Sequence, residues 1–272
     1  ICAITSVGGT GIDAIERDAA GPESGTADGT ITAISFSMAG QHLACAMTNG
    51  SVHVSSLETS KETTTWIAHE SAVLDVAFSP DGSTLVTGGE DHMVRTWQWR
   101  TEEPKWIGVG HVGFPARVAF HPRGNLVVSA GAGDHPRNYE RADGTLRLWD
   151  ATSGKQIEPG SHEDTHVLSI AMTSDATRIV GARGAQILTV WDSESGKSIA
   201  RLSGLNQGPK PLAISPDDQL LAVTSGGSVR LHELKTLRPI ERLIPEQQGR
   251  VTGVSFKPDN SQLAVGHASG QI

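Results

Sequence analysis

Histidine, hydroxyl and carboxylate occur together twice in this 272-residue chain, as His69, Thr87 and Asp91 and again as His111, Ser129 and Asp143. An imidazole between an acid and a hydroxyl is the composition of a hydrolytic triad, in which the imidazole takes the nucleophile's proton and the acid orients it. A triad is a single site, whereas these sets recur one internal period apart, which favours a structural role. Other chemical motifs are weaker. Gly196-Lys197-Ser198 ends like a phosphate-binding loop, but Trp191 stands where that loop requires its first glycine. Ser153-Gly154-Lys155 repeats the same turn after Trp149-Asp150, so it reads as a hairpin. Gly8-Gly9-Thr10-Gly11 lacks the strand-to-helix context of a dinucleotide loop. His111, His121 and His135 show no metal-ligand spacing. Neither metal nor cofactor is expected.

Composition narrows the partners. The net charge is -8 and the pI about 5.7, which argues against an extended footprint for nucleic acid. The two cysteines, Cys2 and Cys45, are too few for a disulfide framework and lie in apolar, strand-like runs as expected buried thiols. No apolar run reaches the ~18 residues of a membrane span, and no signal peptide is visible, so a soluble, cytoplasmic chain is expected. It starts on Ile1 and stops at Ile272 inside a strand-like run, which reads as a piece of a longer protein.

The elements that must position these residues follow from a repeat. Phe36, Phe78, Phe120, Met172, Ile214 and Phe256 each precede a turn, at spacings of 42, 42, 52, 42 and 42 residues. The turns include Pro80-Asp81-Gly82, Pro122-Arg123-Gly124, Pro216-Asp217-Asp218 and Pro258-Asp259-Asn260. Proline fixes the entry φ, and Gly, Asp or Asn tolerate positive φ at the tip. An apolar strand residue follows each turn: Leu43, Leu85, Leu126, Ile179, Leu221 and Leu263. Asp143-Gly144 then opens the strand Thr145–Asp150, with relatives at Asp91–Trp97 and Gln186–Asp192. Each unit therefore predicts four strands joined by hairpins. Such a sheet cannot bury both faces alone and must stack on its neighbours.

The stretch FSPDGSTLVTGGEDHMVRTW, with Trp149-Asp150 and Trp191-Asp192, resembles WD40 repeats, whose period is about 40–45 residues. The resemblance implies an all-β propeller of four-stranded blades and spans nearly the whole chain. Expected blades run at about 27–68, 69–110, 111–160, 162–203 and 205–246, with partial ones at 1–26 and 247–272. Seven blades with incomplete ends are expected; a closed six-bladed ring is the alternative.

The resemblance also implies a buried network in each well-formed blade, linking a histidine, a hydroxyl, an acid and a tryptophan. The second blade carries it as His69, Thr87, Asp91 and Trp97, and the third as His111, Ser129, Asp143 and Trp149. The other blades depart from it. Asn49 and Ser55 replace the acid and tryptophan of the first, Gly181 and Ala185 the hydroxyl and acid of the fourth, where His162 is displaced, and His232-Glu233 the Trp-Asp of the fifth. These blades should depend more on apolar packing.

Two candidate binding sites remain. The ten-residue insertion between Ser129 and Asp143 lengthens one hairpin and carries Asp134, His135, Arg137, Asn138, Tyr139, Glu140 and Arg141. Tyr and Arg are enriched at binding hot spots, although loops also accept length cheaply. Asp75 and Arg117, with Lys210 nearly equivalent, fall on innermost strands, where they could grip a ligand or form an inter-blade ion pair. The reading is a non-catalytic interaction scaffold or sensor, binding proteins or peptides and no nucleic acid or membrane. The alternative is a propeller hydrolase or lactonase with its site in a central channel.

Overall fold

The computed structural model describes residues 3–4, 15–16, 29–59, 62–132, 144–161, 166–183, 187–203, 205, 211–225, 227–242 and 251–268. Every regular element among them is a β-strand. Five antiparallel sheets of four strands follow one another along the chain, each a simple meander. The second, for example, comprises Val73–Phe78, Leu85–Gly89, Val94–Gln98 and Glu103–Gly108, paired in chain order. A sixth unit holds two strands, Val251–Phe256 and Leu263–His267, and near the N-terminus Ala3–Ile4 pairs with Ile15–Glu16.

The sheets are blades because their cores lie between them. The first strands touch in succession, from Ile31–Phe36 through Val73–Phe78, Phe114–Phe120, Val167–Met172 and Leu212–Ile214 to Val251–Phe256. One core joins Ala44, Val54 and Trp66 of the first blade to Val76, Phe78 and Trp97 of the second. The next joins Val86 and Trp106 to Val118, Phe120 and Trp149. Alternation along each first strand sends successive side chains to opposite neighbours, which is why isolated blades would leave one face wet.

The turns after the first strands form as their sequences dictate. Asp81 accepts from the Ser79 hydroxyl at 2.6 Å and the Ser83 N–H at 3.0 Å, and Gly82 takes φ 68°. The equivalent tip residues Ala176, Asp218 and Asn260 adopt φ of 62°, 57° and 61° without being glycine, a strained choice for alanine above all. A register shift interrupts the first strand at the same point in five units, between Val73 and Asp75 and between Pro115 and Arg117 among them. This bulge re-aims the residue that follows it.

Candidate functional site

In the second blade the four network residues close on one another. Glycine makes the approach possible: a Cβ on Gly89 would lie 2.3 Å from His69 Nδ1. His69 Nδ1 meets Asp91 Oδ1 at 2.8 Å, and Nε2 meets Thr87 Oγ1 at 2.7 Å. The carboxylate fixes the proton on Nδ1, so Nε2 accepts from the Thr87 hydroxyl. That hydroxyl oxygen in turn accepts the Trp97 indole N–H at 2.9 Å. Burial alone would raise the Asp91 carboxyl. Hydrogen bonds from His69 and the Met93 N–H, with the Arg95 guanidinium, outweigh it and hold the group below the usual carboxylate range.

The third blade repeats the arrangement. His111 Nε2 lies 2.7 Å from Ser129 Oγ, and the Trp149 N–H donates to the same oxygen at 2.8 Å. Asp143 lies outside the described residues; Thr145 Oγ1 stands 3.3 Å from His111 Nδ1. Thr87 and Ser129 are 0% exposed, so neither hydroxyl offers itself to a substrate. The histidines belong to the blades, and the triad composition comes from structural demand.

Two arginines complete these networks, and the sequence reading passed over them. Arg95 pairs with Asp91 Oδ2 at 3.0 Å and donates to the Ala68 carbonyl at 2.6 Å. Arg147 donates to the Gly110 carbonyl at 2.6 Å and to Thr145 Oγ1 at 3.2 Å. Each therefore clamps the carbonyl just before the network histidine. The available signal was position: both stand two residues before the tryptophan. Tryptophans also link the blades, Trp66 with Trp97 at 5.8 Å and Trp106 stacked on Trp149 at 6.1 Å between ring centroids.

The divergent blades substitute other contacts. In the first, Ser51 donates to Asn49 Oδ1 at 2.7 Å and meets His53 Nε2 at 2.9 Å. In the fifth, buried His232 meets the Leu237 carbonyl through Nδ1 at 3.0 Å. In the fourth, Trp191 is fully buried, and its indole N–H has no hydrogen-bond partner among the described residues. His162 and Ala185 lie outside the described residues.

At the hub, Asp75 and Arg117 occupy equivalent positions of adjacent blades, just after the bulge. Asp75 Oδ2 accepts the Val118 N–H of the next blade at 2.9 Å, and Oδ1 accepts the Val76 N–H at 3.1 Å. Burial pushes this carboxyl up to about 6, against the opposing pull of Arg117 and the two N–H donors. Arg117 donates to the Ala116 carbonyl at 2.7 Å. The ion pair expected between them gives way to these backbone contacts, because the bulge places Asp75 directly against the inner edge of the neighbouring strand. Ser35 does the same one blade earlier, accepting the Phe78 N–H at 3.2 Å. Lys210 lies outside the described residues, as do Asp134, His135, Arg137, Asn138, Tyr139, Glu140 and Arg141. The flanking strands place their loop between Leu126–Ala132 and Leu146–Asp150, the second and third strands of the third blade.

A crevice of about 340 Å³ opens between the turns of the fourth and fifth blades, beside Asp175, Arg178, Asp217 and Lys235. Asp218 forms its wall by accepting the Ser174 and Asp175 N–H groups at 2.8 and 3.0 Å. Among the described residues no three of His, Cys, Asp or Glu come together to hold a metal, and no helix is long and apolar enough to cross a membrane.

Comparison with known proteins agrees with this geometry. The chain is 26% identical over 233 residues to Apoptotic protease-activating factor 1 of Rattus norvegicus, covering 82% of this chain and 18% of that protein. It is 27% identical over 184 residues to the B-type cell cycle switch protein ccs52B of Medicago truncatula, covering 64% and 36%. It is 29% identical over 163 residues to Small ribosomal subunit protein RACK1 of Caenorhabditis elegans, covering 57% and 46%. The chain thus spans less than half the length of each of these relatives. The family model described as "WD domain, G-beta repeat" matches residues 60–98 and 104–150, the segments that contain Trp97 and Trp149. Residues 60–98 and 104–150 thus match WD40 repeats by sequence, and the second and third blades they form have the same four-stranded meander as their neighbours.

Proposed function

We propose that this chain is a non-catalytic platform on which other proteins or peptides dock, and that it works as the propeller part of a longer polypeptide. One observation carries the reading: the histidine–hydroxyl sets that could do chemistry are sealed inside the blades, with Thr87 and Ser129 each satisfied by a histidine and a tryptophan. What remains for function is surface on a rigid frame, where recognition loops and inner-strand residues suit binding. The shares of 18% to 46% that the chain covers in its relatives support a place within larger proteins. The docking candidates are the loop bearing Arg137 and Tyr139, and the hub pair Asp75 and Arg117.

The reading is tested by installing a photo-cross-linking residue at position 139, at position 117 and, as a control, at Lys197 on an outer hairpin. Adducts with a discrete protein from 139 or 117 and none from 197 are expected. Equal adducts from all three positions, or none from any, would overturn it. Tyr139→Ala and Arg137→Ala should weaken capture of the cross-linked protein without lowering the melting temperature.

A further inference from the structure

The first strands of the six units hold one acid and one base among their described residues, Asp75 and Arg117. The same post-bulge position is Ala33 in the first unit, Ser169 in the fourth and Gly253 in the sixth, none of them charged. Arg117 is partly exposed there, and its one hydrogen bond is from a terminal nitrogen to its own chain at Ala116. The rest of its planar fork has no hydrogen-bond partner among the described residues. Asp75, by contrast, spends one carboxylate oxygen on Val118 and the other on Val76.

We infer that Arg117 is the seat for a carboxylate side chain of a docking protein, entered at the hub between the second and third blades, with Asp75 as the neighbour that sets its pH dependence. The inference rests on the platform reading and names the chemistry of one of its two sites. A guanidinium offers paired N–H donors that match a carboxylate, and Arg117 is the one base these strands hold among their described residues. The ionised Asp75 opposes an incoming anion, and the neutral acid does not. Its carboxyl, pushed up to about 6, makes that change near neutrality.

Little else on the elements around Asp75 titrates. The preceding blade's first strand has no ionisable side chain, and its second strand has His42 and Cys45. Its own second strand has none, and the next blade's first strand has Arg117 alone. His42 is held below the usual histidine range by burial and by Arg100, with Glu58 opposing. Affinity for an acidic peptide should therefore rise as pH falls through the Asp75 transition, while glutamate side chains remain charged.

The test titrates the full chain with an N-acetylated, C-amidated tetraglutamate peptide, and with its tetraglutamine counterpart, by NMR at about pH 5.5 and about pH 7.5. The glutamate peptide should shift the Arg117 side-chain resonance and bind several-fold tighter at the lower pH, with no binding of the glutamine peptide. Arg117→Lys should keep part of the binding, and Arg117→Ala should abolish it in a protein that still melts cooperatively. Asp75→Asn should remove the pH dependence. Binding that persists in Arg117→Ala, or no binding by the unaltered chain at either pH, would overturn the inference. An unchanged pH dependence in Asp75→Asn would overturn the role of Asp75. Because the peptide reads this site directly, such a failure leaves the cross-linking test of the platform unaffected.

Discussion

Gly181 lies directly beneath the indole of Trp191: a Cβ there would come within 2.5 Å of the ring carbon Cζ3. The two residues show how the fourth blade solves a packing problem differently from its neighbours. Where the second and third blades put Thr87 and Ser129, the fourth has no side chain. The ring drops into that space, its N–H without a partner among the described residues.

Restoring the hydroxyl should therefore fail. Gly181→Ser puts atoms where the ring already sits, and overpacking of this kind costs about 1–3 kcal/mol. Urea unfolding measures it. A gain in stability would mean that the ring can shift and that the blade accepts the network after all.

The tryptophans should also differ in what their nitrogen is worth. Trp149→Phe removes a hydrogen bond to Ser129, whereas Trp191→Phe removes a buried N–H that has no partner among the described residues. Both lose similar packing, so Trp149→Phe should cost about 1–2 kcal/mol more. Equal losses in paired denaturant titrations would contradict the assignment. The full truncation Trp149→Ala should cost about 3–5 kcal/mol, the loss expected for a large buried aromatic.

Asp75 gives a pH prediction. Its carboxyl is raised from 3.8 to about 6 by burial, so the folded chain holds a proton that the unfolded chain releases. The contribution of this group to stability is then greatest at low pH, falls as pH rises through that window, and is flat above it. Asp75→Asn keeps an acceptor for the Val118 N–H and removes the fall. Its melting temperature relative to the unaltered chain should be higher near neutral pH than near pH 4. A difference that stays constant with pH would show that Asp75 does not titrate in this way.

Much of the architecture was legible in the sequence because it is written six times. Phe78 and Phe120 mark strand ends, Pro80-Asp81-Gly82 marks a hairpin, and His69, Thr87 and Trp97 recur with the period, so each copy corroborates the others. What escaped the reading are contacts to backbone. Arg95 and Arg147 bind the carbonyls of Ala68 and Gly110, and Asp75 binds the N–H of Val118; a backbone partner has no residue type to betray it. The opposite-charge pattern of Asp75 and Arg117 suggested an ion pair, whereas the bulge sends the carboxylate to the neighbouring strand. Trp191-Asp192 kept the letters of the motif although Gly181 had removed the hydroxyl that its nitrogen needs. The inserted loop around Tyr139 has no second copy to compare with, and its residues lie outside those described.

The histidine–hydroxyl–tryptophan sets hold their blades together as buried networks. The equilibrium unfolding free energy of Ser129→Ala tests this claim most directly, since Ser129 Oγ is shared by His111 at 2.7 Å and Trp149 at 2.8 Å. A loss of about 1–3 kcal/mol is expected, as two buried groups are left without their partner. Stability equal to that of the unaltered chain would contradict the claim.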